Sequence, residues 1–308
     1  MKLTAEVKKI IDGYEGLPAK SKESLAGILM HGKLGGTGKL VILPVDQGFE
    51  HGPARSFAPN PAAYDPHYHY HLAVDAGLSA YAAPYGMLEA GADTFAGKIP
   101  TILKVNSSNS LYAGSVPDQA VTSSVKEAVR LGCSAIGFTI YPGSDKCFDM
   151  MEEIKEMSEE ARAKGLAIVM WSYARGGNLS KDGETAVDVI SYAAHMAALL
   201  GANIIKVKPP TEHIEQAEAK KVYEKYHIPT ESLSQRISHV KQCTFSGRRI
   251  VVFSGGSAKG TEEIYNEVRA LRDGGANGSI IGRNTFHRPR DEAMKMLSDI
   301  IDIYLGKK

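Results

Sequence analysis

The sequence predicts an α/β protein, a (β/α)8 TIM barrel with an N-terminal helical extension, and two features of the chain support this prediction. Eight short apolar segments, of the kind that forms buried parallel strands, follow one another between residues 40 and 282. Segments with helical periodicity lie between most of them, as in a series of βα units. A doubly wound sheet is the alternative, but it would not need eight strands of even spacing.

The individual elements are predicted from the spacing of apolar residues. Strands are expected at residues 40–46, 78–83, 100–105, 135–140, 166–171, in the segment that contains Lys206, at 249–254 and at 279–282. The clearest barrel helices are expected at residues 117–132, 147–164, 184–200, 261–274 and 290–305.

The whole chain, residues 1–308, is expected to form one barrel domain with two additions. Residues 1–38 are helical in pattern and are expected to pack against the barrel. Residues 211–247 are longer than a usual crossover, and their first part, 211–226, is charged and helical in pattern. Because this insertion follows the sixth strand, it is expected over the C-terminal face of the barrel.

Composition narrows the classes of partner. The chain has 308 residues, 43% of them hydrophobic and 23% charged, and a formal net charge of +1. This balance gives no reason to expect nucleic acid or a membrane as a partner. The longest apolar runs fall short of the roughly 18 residues that a membrane helix needs, and the charged N-terminal segment does not resemble a signal peptide. The three separated cysteines suit a reducing cytoplasm, where we expect the protein.

In a TIM barrel the active site lies at the C-terminal ends of the strands, and those ends are polar here. Because residues of one parity share a strand face, each of these side chains follows a column of inward-facing apolar residues. They are Asp46, Lys104, Trp171 with Tyr173, and Lys206. A purely structural barrel rarely has such a set, although Asp46 alone would also suit a capped turn.

Lys206 is expected near the end of an apolar strand, where the loss of hydration favours the neutral amine. A neutral amine attacks carbonyl groups, which is the first step of Schiff-base chemistry. The alternative is that Lys206 only extends its ammonium from the strand end into solvent. Lys208 has the same parity, but it lies beyond the strand beside two prolines and is expected to be more hydrated.

Two glycine-containing loops follow the seventh and eighth strands, where barrels commonly bind phosphate. Glycine allows backbone N–H groups to approach an anion closely. The candidate phosphate-binding residues are Ser254, Gly255, Gly256, Gly282 and Arg283, with Lys259 nearby. Ordinary glycine turns are the alternative interpretation.

The histidines His67, His69 and His71 resemble a metal site at first sight. On a helix, His67 and His71 would share a face as zinc ligands can, but the glutamate of an HExxH motif is absent. Asp65 suits the N-cap of a helix that begins there. We therefore expect the start of a helix, and neither a metal nor another cofactor.

Five segments together resemble the archaeal-type class I fructose-bisphosphate aldolases, a family with bacterial members. They occur in the family's order at residues 45–53, 171–177, 202–207, 254–256 and 282–284. The resemblance extends from about residue 38 to the C-terminus. It implies a barrel that forms a Schiff base with a phosphorylated sugar without metal, and it implies homo-oligomers, with decamers common in the family.

The resemblance also implies roles for individual residues. Lys206 resembles the Schiff-base lysine, and Tyr173 resembles the residue that moves the proton of the C4 hydroxyl. Asp46 resembles the carboxylate that assists carbinolamine formation and dehydration, with Trp171 as the aromatic wall beside it. The loops at Ser254, Gly255, Gly256, Gly282 and Arg283 match the family's phosphate loops. Apart from the resemblance, Lys104 is a candidate for binding the substrate because it ends a strand, and a second phosphate has as candidates Arg175, Lys259 and the basic residues of 211–247.

Two positions depart from the family pattern. Gln47 stands where many relatives have His, and Ala174 stands where many have Pro. Neither change removes a proposed catalytic group, but both bear on the choice of substrate.

The sequence thus predicts an enzyme that cleaves fructose 1,6-bisphosphate to dihydroxyacetone phosphate and glyceraldehyde 3-phosphate, and that catalyses the reverse condensation. The alternatives with lysine chemistry are a related Schiff-base aldolase, a transaldolase or a thiolase-like enzyme acting on another phosphorylated sugar. A phosphate-binding isomerase and a non-catalytic phosphosugar-binding barrel are the alternatives without it. A functional Lys206 together with Tyr173 separates the first group from the second.

Overall fold

The computed structural model describes residues 2–112, 114–255 and 260–308, and within them eight parallel strands close into a barrel. In chain order the barrel strands are β1 (Leu40–Pro44), β2 (Ala80–Pro84), β3 (Thr101–Lys104), β4 (Ala135–Ile140), β5 (Ala167–Ser172), β6 (Ile204–Val207), β7 (Ile250–Ser254) and β8 (Gly278–Ile280). Consecutive barrel strands are neighbours, and β1 closes the barrel by pairing with β8. The predicted (β/α)8 fold is confirmed.

Helices follow the strands in the order that the alternating pattern predicts. The main ones are Pro66–Ala76 after β1, Tyr85–Glu89 after β2, Val125–Arg130 after β3, Cys147–Ala163 after β4, Val187–Leu199 after β5, Ala217–Lys225 and Leu233–Cys243 after β6, Thr261–Asp273 after β7, and Arg290–Tyr304 after β8. Short helices in the loops are Gln47–His51, Pro53–Phe57 and Arg283–Phe286, with 3-10 turns at Pro61–Tyr64 and Gly183–Thr185. In the described part of the chain, no helix combines the length and apolar character that a bilayer crossing requires.

Inward-facing aliphatic side chains fill the barrel, as the strand parity predicts. They include Ile42, Ala82, Ile102, Val169, Ile204, Val252 and Ile280, each at most 1% exposed. The outward-facing residues of the same strands pack against the surrounding helices in a second core layer. Because the inward columns are closed and apolar, the polar side chains that follow them are held at the C-terminal mouth of the barrel.

Only the second half of the helix predicted at residues 117–132 is helical. The helix is Val125–Arg130, capped at its N-terminus by the Ser124 hydroxyl. The preceding residues Ala120–Val121 form a short exposed strand that pairs antiparallel with Asn106–Ser107. The prediction was wrong there because the partner strand is distant in the sequence, and apolar spacing within one window does not reveal such a pairing.

The predicted N-terminal extension consists of the helices Ala5–Asp12 and Ala19–Leu29, and it packs on the barrel. Tyr14, which lies between the two helices, connects them to the strands. Its hydroxyl donates to the carbonyl of Asn203 at 2.5 Å and accepts the N–H of Ile250 at 2.9 Å. Asn203 directly precedes β6 and Ile250 is the first residue of β7, so the extension covers the N-terminal end of the barrel.

Residues 211–247 contain two helices, and the second of them takes a place in the ring of barrel helices, although the whole segment was expected over the C-terminal face. Leu233–Cys243 packs against Val187–Leu199 on one side and Thr261–Asp273 on the other, as a barrel helix does. The helical pattern predicted for residues 211–226 is correct only from Ala217 onward, because residues 211–216 adopt irregular backbone.

Candidate active site

A cavity of about 930 Å³ opens at the C-terminal mouth of the barrel. Its walls include most of the predicted site residues, namely Asp46, Tyr173, Arg175, Lys206, Ser254, Gly255, Gly282 and Arg283. Two predicted phosphate-site residues, Gly256 and Lys259, lie outside the described residues. The structure therefore brings together side chains that come from the ends of five strands.

Lys206 is buried at the end of β6, with 5% of the residue exposed. Its Nζ lies 5.5 Å from the ring centroid of Trp171 and 5.3 Å from that of Tyr173. Among the described residues, no group accepts a hydrogen bond from this amine. Burial lowers the pKa of Lys206 to about 8, with Lys104 adding to the effect and Asp46 opposing it. At pH 7 the protonated form still predominates, but the neutral fraction is far larger than that of an exposed lysine, and it becomes the major form above pH 8.

The Trp171 ring lies near two lysine amines. Trp171 is paired with Lys206 in the register of the adjacent strands β5 and β6. The Nζ of Lys104 is 5.9 Å from the Trp171 ring centroid. Lys104 is almost fully buried and donates hydrogen bonds to the backbone carbonyl and side-chain Oδ1 of Asn106. The indole fits because β4 has Gly137 beside it, where a Cβ would lie 2.3 Å from the ring. Lys104 therefore lowers the pKa of Lys206 through its charge, but it is not among the residues that line the cavity, where substrate binding was predicted for it.

Tyr173 and Asp46 face the same cavity as Lys206. Asp46 is 7% exposed and lies at the N-terminus of the helix Gln47–His51. Burial raises the pKa of Tyr173 well above its ordinary value, and the negative charges of Asp46 and Glu50 raise it further. In the free protein the Tyr173 hydroxyl is therefore protonated and is a hydrogen-bond donor.

Sequence reasoning did not include Glu50, whose side chain lines the cavity one helical turn after Asp46. Burial raises the pKa of its carboxyl, and the neighbouring Asp46 adds to the effect. The i, i+4 spacing of the two carboxylates is the signal that would have found it. That signal depends on a helix in a segment that the glycines at 48 and 52 indicated as a loop.

Lys208 also lines the cavity and therefore belongs to the candidate site. Its side chain is 26% exposed, which agrees with the expectation that Lys208 is more hydrated than Lys206. The Lys208 Nζ lies 3.4 Å from Oε2 of Glu184 and 5.9 Å from the ring centroid of Tyr173. The guanidinium of Arg175 lies 5.9 Å from the same ring. The cationic groups of Lys208 and Arg175 therefore lie near the Tyr173 ring, as does the amine of Lys206.

The two predicted glycine loops meet in the wall of the cavity. Asn284 Nδ2 donates to the carbonyl of Gly255 at 3.1 Å and so connects the loops after β7 and β8. Gly282 has no room for a side chain, because a Cβ would lie 2.6 Å from the carbonyl oxygen of Pro44. Arg283 follows directly and faces the cavity. This arrangement leaves backbone and a guanidinium at one end of the cavity.

The histidines of the helix Pro66–Ala76 serve its folding. His69 is buried and its Nε2 is 2.8 Å from the carbonyl oxygen of Ala63, while Asp65 caps the helix by accepting the N–H of His67. Across residues 2–112, 114–255 and 260–308, no three His, Cys, Asp or Glu side chains lie close enough to hold a metal ion.

A parallel barrel whose mouth holds a desolvated lysine beside a tyrosine and two carboxylates defines a class of enzyme that acts on carbonyl compounds. The chain belongs to the DeoC/LacD family of aldolases, whose family model matches residues 40–288.

Individual relatives define the similarity further. A probable class 1 fructose-bisphosphate aldolase of Chlamydia muridarum is 36% identical over 297 residues, which cover 92% of this chain and 84% of the relative. The class 1 fructose-bisphosphate aldolase of Thermoproteus tenax is 37% identical over 273 residues, covering 88% and 92%. A solved archaeal fructose-1,6-bisphosphate aldolase, with its catalytic lysine covalently bound to the carbinolamine intermediate, matches with a TM-score of 0.74 and 31% identity over 96% of this chain and 100% of that chain. The predicted resemblance to the archaeal-type class I aldolases is confirmed.

Proposed function

We propose that the protein is a class I fructose-1,6-bisphosphate aldolase that cleaves its substrate to dihydroxyacetone phosphate and glyceraldehyde 3-phosphate and catalyses the reverse condensation. The observation that supports this most is the buried Lys206 amine, with a pKa lowered to about 8, at a cavity that Arg175, Lys208 and Arg283 also line. Assays of triose phosphate release from a panel of phosphorylated sugars test the proposal. Faster cleavage of a different phosphosugar would contradict it.

The first half of the reaction uses Lys206 and Asp46. The neutral Nζ attacks the C2 ketone to give a carbinolamine, and loss of water gives an iminium. Asp46 lies close enough to affect the pKa of Lys206, and we assign it the proton transfers that accompany addition and dehydration. Trp171 forms the apolar wall that keeps the amine desolvated. The iminium then withdraws electrons from the C3–C4 bond, so no metal ion is needed for this purpose.

The second half requires the C4 hydroxyl to lose a proton as the C3–C4 bond breaks, and we assign this to Tyr173. Its raised pKa suits the condensation direction, in which a neutral hydroxyl donates its proton to the aldehyde oxygen. Cleavage is the microscopic reverse and needs the phenolate. The permanent charge of the iminium on Lys206, together with nearby Lys208 and Arg175, stabilises that phenolate once the substrate is bound.

The two phosphates are proposed to bind at opposite sides of the cavity. The loops at Gly255 and Gly282, with Arg283, take the phosphate nearer the ketone. For the second phosphate we propose Lys208 and Arg175, because both line the cavity near Tyr173. Arg236, a basic residue of the 211–247 segment, also lines the cavity, but its guanidinium donates to three backbone carbonyls of residues 210, 230 and 231.

Substitutions of Arg283 and of Lys208 are expected to have different effects, because the two residues are proposed to bind different phosphates of the substrate. Arg283→Ala should raise KM for every phosphorylated substrate roughly 10- to 100-fold, because it removes a charge-assisted contact worth about 1.5–3 kcal/mol.

Lys208→Met should lower kcat/KM for fructose 1,6-bisphosphate and leave that for fructose 1-phosphate near its original value. Lys181→Met is the matched control, since this lysine also pairs with Glu184 but has a side chain 87% exposed. Equal kcat/KM for the two substrates in the unmodified enzyme would remove the second phosphate site.

Metal removal is expected to leave activity intact, because the iminium supplies the electron sink that a metal would provide. Extended dialysis against EDTA, followed by assay in metal-free buffer, measures this. An inactive dialysed enzyme that zinc alone restores would overturn the Schiff-base mechanism. The variant His67→Ala/His71→Ala would then test whether the histidine helix holds the metal.

We further propose that the enzyme works in the cytoplasm, in glycolysis and gluconeogenesis, as a homo-oligomer of the decameric kind implied by the resemblance. Large apolar side chains on the surface support assembly, among them Leu111, Tyr112 and Phe148, which are 94%, 71% and 73% exposed.

A further inference from the structure

The mechanism above leaves one proton transfer without a named group. After C3–C4 cleavage an enamine of dihydroxyacetone phosphate remains on Lys206, and C3 has to take up a proton before hydrolysis releases the triose. Asp46 and Tyr173 are already assigned to other steps that take place on C2 and C4. The group that serves C3 has to reach the same cavity and to exchange a proton near neutral pH.

The Glu50 carboxyl lies in that cavity without a strong partner. Within the described residues it accepts no hydrogen bond, and its closest ion contact is His51 Nε2 at 3.9 Å. Its side chain is 23% exposed, so it is neither sealed in the core nor free in solvent. The Glu50 backbone carbonyl accepts the N–H of Ser110 at 3.0 Å, which fixes the helical turn that carries it. A half-buried carboxyl that lines the cavity, is carried on a fixed helical turn and has only a long ion contact is a candidate for contact with a substrate.

The charges around Glu50 point the same way. Its carboxylate acts electrostatically on Lys206, Lys104 and Tyr173, so it lies close to the reacting end of the cavity. Burial raises the pKa of Glu50, with Asp46 adding to the effect, while the two lysines and Arg175 oppose it. A carboxyl with a raised pKa is present as acid and as base in comparable amounts closer to neutral pH, which suits a group that alternately donates and accepts a proton.

We propose that Glu50 is the catalytic residue that protonates C3 of the enamine during cleavage and removes a C3 proton in the condensation direction. This inference rests on the proposed aldolase function. In cleavage the Glu50 O–H proton moves to C3, the enamine electrons form the new C–H bond, and the C=N⁺ iminium is restored. Asp46 takes the proton of the water that adds to C2, in the reverse of the dehydration step. The Glu50 carboxylate takes up a proton from solvent in the cavity, and Tyr173 returns to solvent the proton that it gained from the C4 hydroxyl, so no co-reactant is needed.

The exchange of C3 hydrogen of dihydroxyacetone phosphate with D2O isolates this step, since it needs Schiff base and enamine but no C4 chemistry. We expect Glu50→Gln, which keeps the shape of the side chain, to slow the exchange followed by proton NMR by about 10²–10⁴-fold. Borohydride should still attach the triose to Lys206 in the same variant. Glu50→Asp should retain part of the exchange. Glu212→Gln, which removes an exposed carboxylate of the cavity rim, should exchange at the original rate.

The outcomes separate the two proposals. If borohydride attaches no triose to Lys206 in the unmodified protein, the proposed aldolase function fails. If trapping succeeds and Glu50→Gln still exchanges within threefold of the unmodified rate, only the role of Glu50 is overturned. Loss of trapping in a folded Glu50→Gln variant would also overturn it, because Glu50 would then act in Schiff-base formation. Circular dichroism and thermal melting establish that the variants are folded.

Discussion

Lys206→Met is expected to cleave fructose 1,6-bisphosphate at no measurable rate while remaining folded. Methionine has a similar volume but no amine, so it cannot form the covalent intermediate. The Lys206 amine is buried, and no described residue accepts a hydrogen bond from it. Its removal therefore leaves no buried acceptor without a donor. We therefore expect a melting temperature at or above that of the unmodified protein. A coupled assay of triose phosphate release, together with thermal melting, measures both results.

The covalent adduct locates the nucleophile directly. Borohydride in the presence of dihydroxyacetone phosphate should add one reduced triose phosphate to the peptide that contains Lys206. Because the neutral amine is the nucleophile, the rate of trapping should rise with pH through about 8, the value to which burial lowers the pKa of Lys206. Lys208→Met should still trap at Lys206. Mass localised to Lys208 or Lys104 would contradict the assignment.

Most of the barrel could be predicted because its strands obey a short-range rule. The inward-facing residues of each strand alternate with residues that face the helices, so the parity of Ile204 and Lys206 could be read from the sequence alone. The error at residues 117–124 has the opposite origin. Ala120–Val121 pairs with Asn106–Ser107 across a long loop, and a pairing between distant segments leaves no periodic signal. The Ser124 hydroxyl cap, three residues before Glu127, was the local signal that marked the true start of the helix.

The members of the site that lie on strand ends were predictable, and those that depend on loops were not. Lys206 and Trp171 are neighbours because they are paired in the register of the adjacent strands β5 and β6. Glu50 reaches the cavity through a short helix that two glycines concealed. Lys208 could be named, but its ion pair with Glu184 joins the ends of different βα units. Only the folded loops show that this lysine faces the cavity at the mouth of the barrel.

Tyr173→Phe is expected to reduce the rate of fructose 1,6-bisphosphate cleavage by about 10²–10⁴-fold, the usual contribution of a positioned acid or base. The substitution keeps the ring that lies 5.3 Å from the Lys206 Nζ, so packing around the amine is preserved. Rapid-quench measurement of triose release tests the cleavage step.

A change confined to C4 chemistry should leave the earlier steps intact in Tyr173→Phe. Borohydride should trap the triose on Lys206 at the original stoichiometry, and C3 exchange in D2O should continue, because neither reaction removes the C4 proton. Ser172→Ala is the matched control, since it removes a neighbouring hydroxyl that donates to the carbonyl of Ala193 outside the cavity. Cleavage by Tyr173→Phe at a near-normal rate would show that another group takes the proton of the C4 hydroxyl. Asp46 is then the first residue to test, because its carboxylate already acts on the Tyr173 hydroxyl.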